Sequence, residues 1–99
     1  MSEERLQLIT VCEAKLNKLK REYFTIISED YEFRKNDTNY KNKYSIFKKA
    51  RIRSILPQIS KALLKIKSGT YGVCEKTGED IEAARLLAVP WTSVSIKAL

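Results

Sequence analysis

From Glu3 to about Phe33 the chain has no Gly or Pro, and apolar residues return at steps of three and four: Ile9, Cys12, Leu16, Leu19, Tyr23 and Ile26. That rhythm is the seam of a coiled-coil-like helix, and Leu6, Leu8, Val11 and Ile27 widen it. Ser2, with Glu4 and Arg5 behind it, supplies a weak helix start. The period lapses in SEDYEFRKNDTNYKNK, Ser28 to Lys43, where Asn, Asp and Thr cluster. Such side chains compete with the helical backbone for hydrogen bonds, so a turn is predicted near Asn36 to Asn39, with Asp37 or Thr38 to cap the next helix.

A second helical pattern runs from about Tyr40 to Lys67, with Tyr44, Phe47, Ile52, Leu56, Ile59, Leu63 and Ile66 on one side. Pro57 lies inside it, where a missing donor predicts a kink or division near the preceding turn. KSGTYG stops the pattern, with Gly69 as the C-cap candidate. Two helices of similar length joined by a polar turn pair antiparallel, giving a hairpin about 40 Å long at ~1.5 Å per residue. In the final segment, Thr70 to Val73 and Asp80 to Ile81 can pair as a minimal β-hairpin around CEKTGE. AARLLAVPW follows, and Thr92 or Ser93 is placed to cap a last helical turn or two through Ala98. The predicted fold is mainly α: a long antiparallel helical hairpin over residues 1–68, its tip near 29–39, and a small zinc-finger-like module over 69–99.

At 99 residues the chain suits one modest core. Its 31% charged and 43% hydrophobic residues lie outside the signature of disorder. There is no apolar run of membrane-spanning length, and the acidic MSEERLQLIT differs from a secretory leader, so a cytoplasmic location is expected with no membrane partner. The two cysteines, Cys12 and Cys74, have no CxxC spacing, and histidine is absent. Histidine-dependent hydrolase and metalloprotease schemes are thereby excluded, and no set of base, nucleophile and oxyanion donor can be assembled, so no enzyme is expected. The formal net charge of +7 points to an anionic partner.

Three groups carry candidate chemistry. The basic cluster KKARIR, Lys48 to Arg53, can grip phosphates, with Lys15, Lys18, Lys20 and Arg21 extending it; equally, it can be a solvated face shielding the apolar stripe. Tyr40, Tyr44 and Phe47 are spaced for the helix interface more than for stacking on bases. The acidic group Glu29, Asp30, Glu32 and Asp37 lies at the tip, where carboxylates can enter a partner's metal-containing or basic cavity or simply form a solvated turn. Arg34 and Lys35 make that tip mixed in sign. The third group is terminal. Zinc prefers a closed tetrahedron of Cys or His, yet the pair partner of Cys74 is Thr77, and the second pair falls on Ser95 and Ala98. One thiol cannot close that site, so packing by Tyr71, Ile81, Leu86, Trp91 and their apolar neighbours is expected to replace metal. Cys74 is expected to act as a small buried hydrophobe.

The segment ALLKIKSGTYGVCEKTGEDIEAARLLAVPWTSVSIKAL resembles the C-terminal region of the DksA/TraR family. Gly69, Tyr71, Gly72, Cys74, Gly78, Ile81, Arg85, Leu86, Ala88 and Pro90 stand in step with the family pattern from Ala62 to Ala98; upstream the likeness is one of architecture. The resemblance implies a bacterial transcription regulator of the stringent-response type that binds RNA polymerase, inserts its coiled-coil hairpin into the secondary channel, and makes no sequence-specific contact with DNA; a monomer is expected, with a dimer that pairs its long stripe with a second copy as the alternative. The resemblance places Glu29, Asp30, Phe33, Arg34 and Asp37 at the tip toward the polymerase active centre. Lys48, Lys49, Arg51, Arg53 and Arg85 are the residues expected to contact polymerase or an anion. The resemblance also identifies Cys74, Thr77, Ser95 and Ala98 as positions of lost zinc ligands. The family's tip motif, Asp-x-x-Asp-x-Ala, has Asp30 as its nearest first aspartate, and Phe33 stands at the second. Some members act jointly with ppGpp; of the basic residues they use, only Arg51 is matched, while Gln58 and Leu99 stand where lysines are expected. Neither a structural zinc nor an intact ppGpp response is therefore expected. The alternatives are a basic nucleic-acid-binding module and a helical protein-interaction module.

Overall fold

The computed structural model describes residues 2–36 and 46–99, the side chains of 30–36 and 46 excepted. The first helix, α1, spans Glu3–Asn36. Ser2 caps it, its Oγ accepting the Arg5 N–H at 3.1 Å, and Glu3 and Glu4 place negative charge against the positive end of the helix dipole. The helix runs past Phe33, where the sequence pattern ended it, because Glu, Arg and Lys sustain a helix after the apolar stripe has lapsed. At ~1.5 Å per residue its 34 residues reach about 50 Å, longer than the predicted hairpin and in keeping with a molecular extent of 53 Å. Asn36 is the last described residue of α1; the rest of the predicted turn, Asp37, Thr38 and the start of the second helix at Tyr40 and Tyr44 lie outside the described residues.

The second helix, α2, spans Ile46–Ser68 and contains Pro57 without being divided there. Proline removes one donor and leaves the remaining ladder to hold the helix; nearby, Gln58 donates its side-chain amide to the Ser54 carbonyl at 3.1 Å. The end is a Schellman motif. The Thr70 N–H bonds the Lys65 carbonyl at 2.9 Å and the Gly69 N–H bonds that of Ile66 at 3.3 Å, which needs the left-handed φ of 79° that Gly69 adopts.

Cys12 and Leu16 of α1 pack with Ile55, Ile59 and Ala62 of α2, and the same core continues through Tyr71, Cys74, Ile81 and Leu86. Early residues of α1 meet late residues of α2, so the helices are antiparallel. The module over 69–99 thus shares one core with the hairpin base. Ile9, Leu19 and Tyr23 flank this core as the seam predicts, but Leu6 and Val11 are exposed. In α2, Ile52 and Ile59 are buried and Leu63 and Ile66 pack against the core as expected, while Ile55 and Ala62 join them and Phe47 does not. The buried line of α2 is Lys49, Ile52, Ile55, Ile59 and Ala62, whereas Phe47 is 86% exposed. The pattern contained two adjacent apolar rows, and the row through Ile55 faces α1.

After α2 the predicted β-hairpin is reduced to one antiparallel bridge, Val73 with Asp80, flanked by Cys74 N–H to Glu79 O and Ile81 N–H to Gly72 O, both 2.8 Å. No strand forms among the described residues. A short helix, α3, spans Ala83–Ala88, and its Leu86 is fully buried. The final turn is a 3-10 helix over Ile96–Ala98. Its N-cap is Ser95, without a side-chain bond, and not Thr92 or Ser93. The carboxylate of Glu82 takes the Ile96 N–H from across the module at 3.2 Å, while the Thr92 hydroxyl bonds locally to Val94.

Candidate functional site: a basic aromatic groove and a finger with one thiol

A groove of about 420 Å³ opens where the hairpin meets the module, lined by Tyr23, Phe47, Lys48, Arg51, Ile52, Ile55 and Trp91. Each side chain is positioned by a different constraint. Ile52 and Ile55 belong to the buried row of α2, so Phe47, Lys48 and Arg51 emerge on its flank. Tyr23 reaches the groove from α1. Trp91 arrives from the module, following Pro90, whose carbonyl accepts the buried Tyr71 hydroxyl at 2.8 Å; burial pushes the Tyr71 phenol well above its ordinary pKa. Among the described residues the lining is mostly aromatic and aliphatic, its ionic groups are the cations Lys48 and Arg51, and it holds no carboxylate. Such a surface accepts a partner that offers an apolar or flat group beside negative charge.

Of the five contact residues expected from sequence, Lys48 and Arg51 meet in this groove, and Arg53 is exposed on the same helix. Lys49 is corrected: it is 1% exposed and continues the buried row, its long aliphatic stem filling a core position. Arg85 sits on α3, half-buried, outside the groove lining; its Nε is buried without a hydrogen-bond partner. Lys15, expected to extend the basic flank, donates to the Leu87 carbonyl at 3.1 Å, a cation at the C-terminal end of α3. At the tip, Glu29 is an exposed residue of α1. Asp30, Phe33 and Arg34 are on α1 with side chains outside the described set, and Asp37 lies outside the described residues altogether.

The four expected ligand positions are brought together. Cys74 is buried, and its sulfur accepts the Ser95 N–H at 3.4 Å and the Thr77 hydroxyl. The Thr77 hydroxyl foremost, then the Ser95 amide, pull the thiol from 9.0 down to about 6. Cys74 is buried in the core as expected of a small hydrophobe, and its sulfur also serves as a hydrogen-bond acceptor. Ala98 completes the set within the turn that follows Ser95, its N–H bonded to the Ser95 carbonyl at 3.1 Å.

Sequence reasoning missed Arg5. From the first turn of α1 its guanidinium donates to Gly72 O at 2.8 Å and Ile81 O at 3.0 Å. Gly72, with φ 85°, leaves room for it, since a Cβ there would lie 2.9 Å from the guanidinium. Glu75 was missed as well. It pairs with Lys65 and with Lys61, the latter at 2.9 Å, tying the knuckle to α2. Lys65 and then Lys61 hold its carboxyl at about 2. No local signal announces contacts that cross from one element to another.

Comparison with known proteins finds likenesses to both the module and the fold. Residues 69–98 match the prokaryotic dksA/traR C4-type zinc finger. General stress protein 16O of Bacillus subtilis is 50% identical over 46 residues, 46% of this chain and 28% of that protein. The RNA polymerase-binding transcription factor DksA of Caulobacter vibrioides is 44% identical over 48 residues, 48% of this chain and 34% of that protein. The chain thus aligns with about a third of the length of these relatives. Its fold is similar to transcription factor DksA2 from Pseudomonas aeruginosa, with a TM-score of 0.72 and 24% identity over 93% of this chain and 80% of that one. It is also similar to the DnaK suppressor protein of Agrobacterium tumefaciens, with a TM-score of 0.64 and 25% identity over 91% and 89%.

The finger's description implies zinc, and the donor set does not fit it. Thr77 and Ser95 offer neutral hydroxyls, Ala98 offers no donor, and no group of three or more His, Cys, Asp or Glu able to hold a metal occurs among the described residues. The glycines, the Cys74 knuckle, Ile81, Leu86 and Pro90 that shape the module are in place around a single thiol: residues 69–98 are similar to the dksA/traR finger, and the chain shares its fold with DksA-type structures.

Proposed function

We propose that this chain is a non-enzymatic bacterial transcription regulator that binds RNA polymerase, entering the secondary channel with its helical hairpin and making no sequence-specific contact with DNA. The observation that carries this reading is the joint architecture: a long antiparallel hairpin rooted in a dksA/traR module, matched over nine-tenths of the chain by DksA-type structures. The name of the Caulobacter relative supports the choice of polymerase as partner. In this reading the end of α1 that carries Glu29 and Asp30 reaches inward, and the groove between Phe47, Arg51 and Trp91 docks the hairpin base on an acidic rim. The protein works as a cytoplasmic monomer, with a ppGpp response altered or absent because Arg51 stands without the lysines.

Binding to purified core polymerase, followed by an abortive-transcription assay of wild type against Asp30→Asn and Arg51→Ala, tests the reading. Retained binding with altered transcript yield for either variant supports it. Retained binding with no change for either would remove the working roles from Asp30 and Arg51.

A second reading, direct binding to nucleic acid, is favoured by the exposed Lys48, Arg51 and Arg53 and the charge of +7. It calls for affinity to bare duplex or single strand that falls steeply with salt. A gel-shift at low salt without polymerase separates the two.

A further inference from the structure

In a four-cysteine finger, zinc fastens the first knuckle to the segment that carries the second ligand pair. In this chain those two segments are fastened three times over without it. The Glu75 N–H bonds the Ser93 carbonyl at 2.9 Å. The Ser95 N–H bonds the Cys74 sulfur at 3.4 Å. Lys76 Nζ donates to the Ala98 carbonyl at 3.3 Å. These bonds span the gap a metal would span, between positions 74–77 and 93–98. The sulfur bond is sheltered, Cys74 being 1% and Ser95 4% exposed, while the lysine bond lies at the surface. Arg5 and Glu75 then anchor the fastened module on α1 and α2.

We propose that this hydrogen-bonded fastening takes the place of zinc, so that the module folds, and stays docked on the hairpin, without metal. The chemistry argues in one direction. Zinc would need the Cys74 thiolate and three further ligands, and the hydroxyls of Thr77 and Ser95 bind zinc too weakly to supply them. The Ser95 N–H already occupies the sulfur. A backbone donor bound to a soft acceptor, a backbone pair and a lysine cap hold the segments at a cost in strength but with no dependence on metal supply.

The test is independent of polymerase. The whole chain, purified from zinc-supplemented growth, is analysed for metal by native mass spectrometry and melted with and without a strong chelator. The proposal expects no zinc-bearing species and one unchanged midpoint. Stoichiometric zinc, or a chelator that lowers the midpoint, overturns it. Ser95→Pro removes the N–H at a native φ of −73° that suits proline, together with a hydroxyl that makes no cap bond, and Ser95→Ala, which keeps the N–H, serves as its control. Ser95→Pro should lower the midpoint by roughly 4–8 °C, with Lys76→Met giving a smaller fall in the same direction. Midpoints unmoved by both substitutions would refute the fastening. The combined Thr77→Cys, Ser95→Cys and Ala98→Cys chain, assayed alongside, should take up one zinc and become chelator-sensitive.

Discussion

Arg5 Nη2 donates to the carbonyl of Gly72 at 2.8 Å across 67 residues of sequence, and the same guanidinium holds the Ile81 carbonyl at 3.0 Å. One side chain in the first turn of α1 therefore satisfies both carbonyls that flank the Val73–Asp80 bridge. Arg5→Ala leaves the Ile81 carbonyl short of a donor, while the Gly72 carbonyl keeps the Ile81 N–H, and a loss of about 1–3 kcal/mol is expected. Arg5→Lys should recover only part of it, since an ammonium cannot reproduce the planar fork. Thermal unfolding followed by circular dichroism measures both; a midpoint unchanged in Arg5→Ala would contradict the clamp.

Gly72 and Gly78 share a left-handed backbone and differ in surroundings. At Gly78, with φ 76°, a Cβ meets nothing within 4 Å, so Gly78→Ala should cost about 1–2 kcal/mol from conformation alone. At Gly72 the new methyl also meets the Arg5 guanidinium at 2.9 Å. Gly72→Ala should therefore be the more destabilising of the two. The excess should shrink when Arg5→Ala is already present, which a double-mutant cycle reads directly.

How much of the fold is legible in the sequence depends on how far each signal reaches along the chain. The Ser2 cap, the Gly69 stop and the Cys74 knuckle are local, and each appears where its residues place it. The rotation of α2 is not local. Leu56 and Ile55 are neighbours, either row makes an apolar stripe, and only the fit against Cys12 and Leu16 selects Ile55, burying Lys49 and exposing Phe47. Of the candidate site, Lys48, Arg51 and the ligand positions are legible as residue types. Their partners Tyr23, Trp91 and Arg5 come from elsewhere in the chain, where no spacing rule reaches.

Glu75 makes stability depend on pH with a definite sign. Its folded carboxyl sits at about 2, held down by Lys65 and then Lys61, against about 4.3 in an unfolded chain. The folded value is the lower one, so its contribution is complete above the unfolded value and is lost as pH falls toward 2. The side chain is 41% exposed, and screening limits the effect to about 1 kcal/mol or less. Wild type should exceed Glu75→Gln in midpoint at neutral pH, with the gap closing through the acid range; a constant gap would contradict the pairing.

Phe47 is exposed and Arg51 lies beside it in the groove. Phe47→Ala and Arg51→Ala should leave the thermal midpoint near that of wild type, because neither fills the core. Each should weaken polymerase binding by at least about fivefold, ~1 kcal/mol at an anchor position. Unchanged affinity in both would move the docking surface away from this groove.

The central claim, that the chain is a polymerase-binding regulator, is tested most directly by its association with purified core RNA polymerase in nuclease-treated buffer, with and without sigma factor, at an ionic strength that abolishes binding to bare DNA. A stable complex is expected that persists without nucleic acid and is lost when Phe47 and Arg51 are both replaced by alanine. No association under either condition, alongside salt-sensitive retention on naked DNA, would contradict that claim.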